Sequence, residues 1–209
     1  MMILALEFSS EQRSVAVARD GKVLAEAVEA GGPRGTNALG LIEKVLAQSK
    51  VSREEIEVIA VGLGPGSYTG IRAAIAVAQG WQLARGVKLL GSSSAEALAA
   101  QAQAEKIFGR VNVVIDAQRG EFYLASWEIS GTRREEISPL KIVTAAELEP
   151  RKAAGETCAG PEMGRVLFPS AAAVARLAAG RTDFVPGETL APVYLRATSF
   201  AKAPLRRVF

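Results

Sequence analysis

The sequence predicts an α/β protein of two lobes, of which the second is a reduced copy of the first. Its 209 residues suffice for two units of about 100 residues, a usual size for a unit with its own core. Short apolar runs alternate with amphipathic helical runs in the first half, as is typical of helices that cover a partly parallel sheet. A strand ending in a carboxylate, a tight turn and a second strand follow one another at Ile3 and again at Val111, which indicates an internal duplication. We therefore expect lobes at 1–108 and 109–209.

The first lobe is predicted to open with three antiparallel strands and to continue with alternating strands and helices. Asp20-Gly21 is a hairpin signal between the second and third strands. Ser52 and Glu55 have the spacing of a capping box, which indicates a short helical turn. Strands are predicted at 2–8, 13–19, 22–30, 58–62 and 87–90, and helices at 36–49, 70–85 and 94–106.

The second lobe has fewer clear elements. Gly109 marks the start of this lobe because the strand and turn pattern begins again just after it, and Ser170 is a candidate helix cap. Strands are predicted at 111–116, 121–129 and 192–196, and helices at 145–154 and 170–179.

The composition excludes several kinds of active site. The sequence contains no histidine, so Ser-His-Asp triads, Cys-His pairs and histidine-containing zinc sites are ruled out. The net charge of +3 is small and most basic residues are scattered, which is weak evidence for nucleic-acid binding. The single Cys158 has no partner for an internal disulfide. No run approaches the roughly 18 apolar residues of a membrane helix, and we expect a cytoplasmic protein without membrane contact.

The glycine-rich segment at 62–70 joins a predicted strand to a predicted helix and has two interpretations. Its backbone amides and the helix dipole suit a phosphate or carboxylate, or the glycines supply the backbone freedom of a tight structural turn. We favour the turn. The segment is neither a Walker A loop nor a nucleophile elbow. The candidate contacts for an anion or nucleotide are Gly64, Gly66, Ser67, Thr69, Asp116 and Glu121.

The helix at 70–85 is apolar around most of its circumference. Ala73, Val77, Gly80 and Ala84 share a stripe about 60° wide, and small side chains let another helix come close. Such a helix either lies deep in its own lobe or presents one side to a partner. The candidate partner-binding residues are Leu39, Ile42 and Leu46 of the preceding helix and Ala73, Val77, Gly80, Trp81 and Ala84 of this one.

Three segments carry a resemblance to a known family. They read VGLGPGSYTGIR at 61–72, IDAQRGEFY at 115–123 and PVYLR at 192–196. The chain resembles the bacterial TsaB (YeaZ) family, and its paired lobes resemble the actin-like ATPase (ribonuclease H-like) superfamily. The resemblance implies a noncatalytic partner of TsaD in the formation of threonylcarbamoyladenosine next to the anticodon of tRNAs.

The resemblance also implies a set of partners and a docking surface. It implies a heterodimer with TsaD, the presence of TsaE in the assembled complex, and a homodimer when the chain is alone. It implies that ATP is used by the assembled complex and not bound by this chain alone, that tRNA contact is indirect or weak, and that helices of the first lobe bind the partner. No catalytic residue and no metal ligand is expected.

The chain departs from the family pattern at the first hairpin. Its opening strand ends in Glu7, Phe8 and Ser9 where Asp-Thr-Ser is usual, and Gln118 stands where arginine is common. Phe8 offers no hydrogen-bond donor to a phosphate. The alternative functions are a self-sufficient ATPase or small kinase that uses Asp116, Glu121 and the glycine-rich segment, and, less favoured, a protease.

Overall fold

The first lobe is built on a five-stranded mixed sheet. The computed structural model describes residues 1–30 and 37–195. β1 is antiparallel to β2 and parallel to β4, and the strand order is β3-β2-β1-β4-β5. The strands are β1 (Met2–Glu7), β2 (Gln12–Arg19), β3 (Lys22–Ala30), β4 (Val58–Gly62) and β5 (Lys88–Ser92).

The second sheet repeats the first. Its order, read from the opposite edge, is β8-β7-β6-β9-β10. β6 is antiparallel to β7 and parallel to β9, as β1 is to β2 and β4. The strands are β6 (Gly109–Asp116), β7 (Glu121–Ile129), β8 (Arg134–Thr144), β9 (Thr157–Gly160) and β10 (Arg165–Val166). The predicted α/β fold with two lobes is confirmed, and the duplication predicted from the sequence is present in the topology.

Three of the described helices begin at a polar side chain that satisfies a free backbone amide. Asn37, Ser67 and Ser170 each accept a hydrogen bond from the amide three residues further on. A 3₁₀ turn at Arg53–Glu55 carries the predicted capping box. The helices are α1 (Ala38–Ser49), α2 (Tyr68–Arg85), α3 (Ser94–Ala104), α4 (Ala145–Ala153) and α5 (Ala171–Ala178).

The predicted elements differ from the observed ones mainly in the second half of the chain. β8–β10 were not predicted, because β8 is a mostly exposed, polar strand and the other two are very short. The strand expected at 192–196 is wrong over 192–195, which form no regular structure. Its last residue and the expected helix start at Thr36 lie outside the described residues.

The faces of the first sheet have different cores. Leu4, Leu6 and Val17 point to α1 and α2 on one face. Ala5 and Ala16 point to the other face, where α5 packs. α5 was expected in the second lobe because it follows residue 109. Instead its alanines lie against the small side chains of β1 and β2, which allow a close helix-to-sheet approach.

α5 is also tied to the first lobe by hydrogen bonds at its N-terminus. The amide of Ala171 donates to the Ser14 hydroxyl (2.7 Å) and the amide of Ala172 donates to the Glu26 carboxylate (2.9 Å). A carboxylate at this end of a helix also interacts favourably with the helix dipole. The chain therefore returns to the first lobe after it has formed the second sheet.

The second sheet is covered by α3 on one face and α4 on the other. α3 contributes Leu98 to the core around Val111 and Val113, while its Ala97 faces the first lobe. Leu148 of α4 packs on the opposite face. α3 thus lies between the lobes and contacts both cores. No helix in 1–30 or 37–195 is long and apolar enough to cross a membrane.

Candidate functional site

The glycine-rich loop is packed directly against the turn that joins β1 and β2. The amide of Ser67 donates to the carbonyl of Ser9 at 2.6 Å. A side chain at Gly66 would collide with that carbonyl, and one at Gly70 would collide with the carbonyl of Phe8. The close backbone approach explains why both positions are glycine. These contacts favour the structural interpretation of the loop.

Glu7, the acid at the end of β1, is fully buried. Its carboxyl accepts hydrogen bonds from the amide of Ser9 (2.8 Å) and the hydroxyl of Ser94 (2.9 Å). Any side chain at Gly62 would collide with it. Burial raises the pKa of Glu7, against the effect of these hydrogen bonds. The Ser94 hydroxyl in turn accepts from the amide of Gly64 (3.0 Å). Glu7 therefore ties β1 to the glycine-rich loop and to α3.

A cleft of about 580 Å³ separates the lobes. It brings together Gly66 and Ser67 of the first lobe with Asp116 of the second, whereas Gly64, Thr69 and Glu121 do not line it. Of the anion or nucleotide contacts predicted from the sequence, three lie together. The residues that line the cleft are Ser9, Ser10, Glu11, Arg13, Gly66, Ser67, Tyr68, Ile115, Asp116, Ala117, Gln118, Tyr123, Glu162 and Tyr194.

The acidic side of the cleft is organised by its own turn. The Asp116 carboxylate accepts from the amide (2.7 Å) and the side chain (2.8 Å) of Gln118. Glu162 accepts from the amide of Asp116 (3.3 Å). Burial raises the pKa of Glu162, against the hydrogen bond from the Asp116 amide, which lowers it. In the part of the chain that the structure describes, no three acidic, histidine or cysteine side chains are grouped so that they could hold a metal ion.

The outer side of α2 is an exposed surface of small and apolar side chains. Leu83 is 89% exposed, and a side chain built at Gly80 would meet nothing within 4 Å. Leu39 belongs to α1, which lies on the same face of the sheet as α2, and it is 64% exposed. We call the following residues of α2 the α2 face: Ala73, Ala76, Val77, Gly80, Leu83 and Ala84. Ala73 and Val77 are half-buried, and Val77 also packs against the core of the first lobe.

Comparisons with known proteins identify the family. The family model described as "TsaD: tRNA N6-adenosine threonylcarbamoyltransferase" matches residues 35–203. The TsaB protein of Escherichia coli is 34% identical over 128 residues, which are 61% of this chain and 55% of that protein. YeaZ from Pseudomonas aeruginosa superposes with a TM-score of 0.77 at 27% identity and covers 93% of this chain and 99% of its own. The chain belongs to the TsaB (YeaZ) family.

The structural match covers a larger share of the two chains than the sequence matches do. The TsaB protein of Bacillus subtilis is 26% identical over 148 residues, 70% of this chain and 64% of that protein. The chain thus spans 55% to 64% of these two curated relatives in the sequence matches.

The structure changes the set of residues that a partner could contact. Ile42 is 1% exposed and Leu46 is 7% exposed, so their prediction as contact residues is wrong: both pack inside the first lobe. Trp81 is half-buried and packs against the same core. Sequence reasoning missed Leu83 and Ala76. Their signal was available, since both lie within about 60° of Gly80 on a helix of about 100° per residue.

Proposed function

We propose that the chain is a noncatalytic subunit that binds a TsaD protein and supports it in forming threonylcarbamoyladenosine next to the anticodon of tRNAs. Its curated relatives are named tRNA threonylcarbamoyladenosine biosynthesis proteins. The single observation that carries a binding role is the α2 face, where Leu83 and Gly80 are exposed and apolar in the free chain. Exposed apolar patches of this kind mark interaction sites.

The α2 face has the shape that close helix packing requires. Ala76 and Gly80 are one turn apart and carry almost no side chain, so a partner helix can approach at the short end of the usual 8–10 Å range. Leu83 then supplies a projecting side chain one turn further on. A stable interface buries about 1,600 Å² in total. Leu39 of α1 would extend the contact beyond α2.

The noncatalytic assignment is supported by what the first hairpin does with its polar groups. The Glu7 carboxyl is directed into the packing and bound by Ser9 and Ser94. Phe8, at the position of a phosphate-binding hydroxyl in the family pattern, is fully buried in the core. The amide of Ser67 already donates to Ser9. These groups serve the fold, and the proposal leaves the chemistry to the partner.

The subunit would act by stabilising the partner. Docking of the α2 face lowers the free energy of whichever TsaD conformation is complementary to it, and so raises the population of that conformation. In this proposal TsaE joins the assembled complex, the complex and not this chain uses ATP, the chain alone forms a homodimer, tRNA contacts it weakly or indirectly, and the protein works in the cytoplasm.

The proposal is tested by reconstitution. Purified TsaD, TsaE and this chain are combined with tRNA, ATP and a source of the threonylcarbamoyl group, and the modified nucleoside is measured by mass spectrometry. We expect modification to fall to background when this chain is omitted. Gly80→Glu should have the same effect while its thermal unfolding stays cooperative. Full modification without this chain would contradict the proposal.

The interlobe cleft favours one alternative, a self-sufficient ATPase or small kinase. Ser67, Asp116 and Arg13 meet in this cleft, and the Nε and Nη1 atoms of Arg13 are buried without a hydrogen-bond partner among the described residues. Titration calorimetry with ATP and Mg²⁺ separates the two functions. Tight binding by the isolated chain, lost in Arg13→Gln, would support the enzyme, and weak or absent binding supports the subunit.

A further inference from the structure

Arg72, near the start of α2, is held between two tyrosines. Its guanidinium carbon lies 4.1 Å from the centre of the Tyr68 ring and 5.8 Å from that of Tyr194. Its Nε donates to the Tyr194 hydroxyl at 3.3 Å. The rings are 6.2 Å apart. Contacts of a cation with two aromatic faces restrict the side chain, which otherwise has many rotamers.

Tyr194 is brought to this position by the segment that follows α5, which we call the strap (residues 184–195). The amide of Val193 donates to the carbonyl of Leu63 at 2.8 Å. The backbone of Gly187 is bound by two side chains of α2, with Gln79 donating to its carbonyl at 2.8 Å and Gln82 accepting from its amide at 2.7 Å. The strap is therefore anchored along α2, and the position of Tyr194 over Arg72 follows from these contacts.

The guanidinium of Arg72 has no carboxylate partner within residues 1–30 and 37–195. The other arginine of the helix, Arg85, pairs with Glu54 at 3.2 Å. Arg72 instead contacts a phenol and two rings, and its side chain is exposed. Arginine forms bidentate pairs with carboxylates, and its planar group is more weakly hydrated than an ammonium. The Arg72 guanidinium is thus available at the surface to pair with a carboxylate.

Arg72 lies at one edge of the α2 face. Ala76 follows it by one turn and Leu83 by three turns on nearly the same line. A partner that covers these two residues and extends to the start of α2 also covers the guanidinium and removes its water. An arginine buried in an interface without an opposite charge is strongly unfavourable. The partner must therefore place an acidic group there.

We propose that Arg72 is the charged anchor of the α2 face and that it binds a carboxylate of an aspartate or glutamate on the TsaD partner. The inference rests on the proposed function and specifies the chemistry of that contact. A protein carboxylate is favoured over a phosphate of RNA because the adjoining surface is apolar and small, as Ala76 and Gly80 show, whereas nucleic-acid surfaces are polar and strongly basic. Tyr68 and Tyr194 are positioning residues that hold the guanidinium ready.

The test compares variants of Arg72 with a matched control. Kd for TsaD is measured by calorimetry or biolayer interferometry at low and high salt. We expect Arg72→Gln to raise Kd by about 30-fold or more and to remove most of the salt dependence. Arg72→Lys, which keeps the charge and loses the bidentate geometry, should raise it by about 10-fold. Arg165→Gln, the same charge change on β10 of the second sheet, should leave Kd within twofold.

Rescue experiments identify the partner group. Arg72→Glu should abolish binding, and replacement of one acidic residue on the facing helix of TsaD by arginine should restore it. Tyr194→Phe, which removes only the hydroxyl that accepts from Arg72, should raise Kd by about threefold to tenfold. All variants should unfold within about 2 °C of wild type, because the Arg72 side chain is exposed.

The outcomes separate this inference from the proposed function. If Gly80→Glu abolishes binding of TsaD but Arg72→Gln leaves Kd within twofold, the anchor is overturned and the proposed function stands. If the wild-type chain does not bind TsaD, the proposed function is wrong, and the inference that rests on it is wrong as well. If Arg72→Gln dissociates a homodimer in sedimentation, or weakens tRNA binding, without changing Kd for TsaD, then the occupant is a second copy or RNA and the inference is wrong.

Discussion

Replacement of Leu83 by alanine should weaken binding to TsaD without changing the stability of the free chain. Leu83 is 89% exposed, so it contributes little to the core of the first lobe. Alanine is also at least as good a helix former as leucine. We therefore expect the free energy of unfolding of Leu83→Ala to lie within about 0.5 kcal/mol of wild type.

The effect on binding follows from the area that docking would remove from water. Complete burial of a leucine side chain contributes about 1.5–3 kcal/mol. Alanine keeps only the first carbon of that side chain, so the loss in the complex is about 2 kcal/mol, which corresponds to a Kd about 30-fold higher. The two measurements are chemical unfolding of the free chain and calorimetric binding to TsaD.

Two control variants test whether the effects on binding and on the free energy of unfolding are specific to Leu83. Val166→Ala changes another exposed apolar residue, 64% exposed on β10 of the second sheet, and should alter neither quantity. Ile42→Ala changes a residue that is 1% exposed in the first core and should lower the free energy of unfolding by about 2–5 kcal/mol. The reasoning is refuted if Leu83→Ala binds TsaD as wild type does, or if it unfolds as readily as Ile42→Ala.

Three further predictions concern the fold and its titrating groups. Because burial raises the pKa of Glu7, the folded chain holds that proton more tightly than the unfolded chain, so the stability that it contributes is complete below the unfolded pKa of about 4 and is lost as pH rises through the raised folded pKa. Glu7→Gln should therefore reduce the loss of stability that chemical unfolding shows as pH rises above about 4, and an unchanged pH dependence would argue against a buried acid. Gly66→Val should destabilise by about 1–3 kcal/mol or more, since Gly66 has φ +144° and its side chain would meet the Ser9 carbonyl; a wild-type melting temperature would contradict this. The Arg181 guanidinium lowers the pKa of Asp183 to about 2, so any stability from this exposed pair is lost as pH falls through that value. In Arg181→Gln, NMR titration should show the pKa of Asp183 rising towards about 4, and no rise would exclude the ion pair as the cause.

Local patterns in the sequence determined many of the elements. The strand-like runs of β1–β3, the turn at Asp20-Gly21 and the capping box at Ser52 depend on residues close together in the chain, and the structure has all of them. The repeated strand and turn pattern indicated the duplication that the two sheets show. β8 was not predicted from the sequence because a mostly exposed strand has little alternation of apolar and polar residues.

Only the tertiary structure decided which side of each apolar helix faces the core. α1 is amphipathic, but α2 has apolar residues around most of its circumference, and such a helix does not reveal its buried side. The sheet determines the buried side, because Leu4 and Leu6 lie beneath one side of α1 and α2. Ile42 is consequently inside and Leu83 outside.

The contacts around Arg72 likewise required the tertiary structure. Tyr194 is 122 residues away in sequence and reaches Arg72 only because α5 returns to the first sheet and the strap runs along α2. The glycine-rich motif and the family resemblance were visible in the printed residues, since each is a local string. The pairing of two distant segments was not, because it depends on how small side chains in α5 fit the first sheet, and that fit is a property of packing in three dimensions.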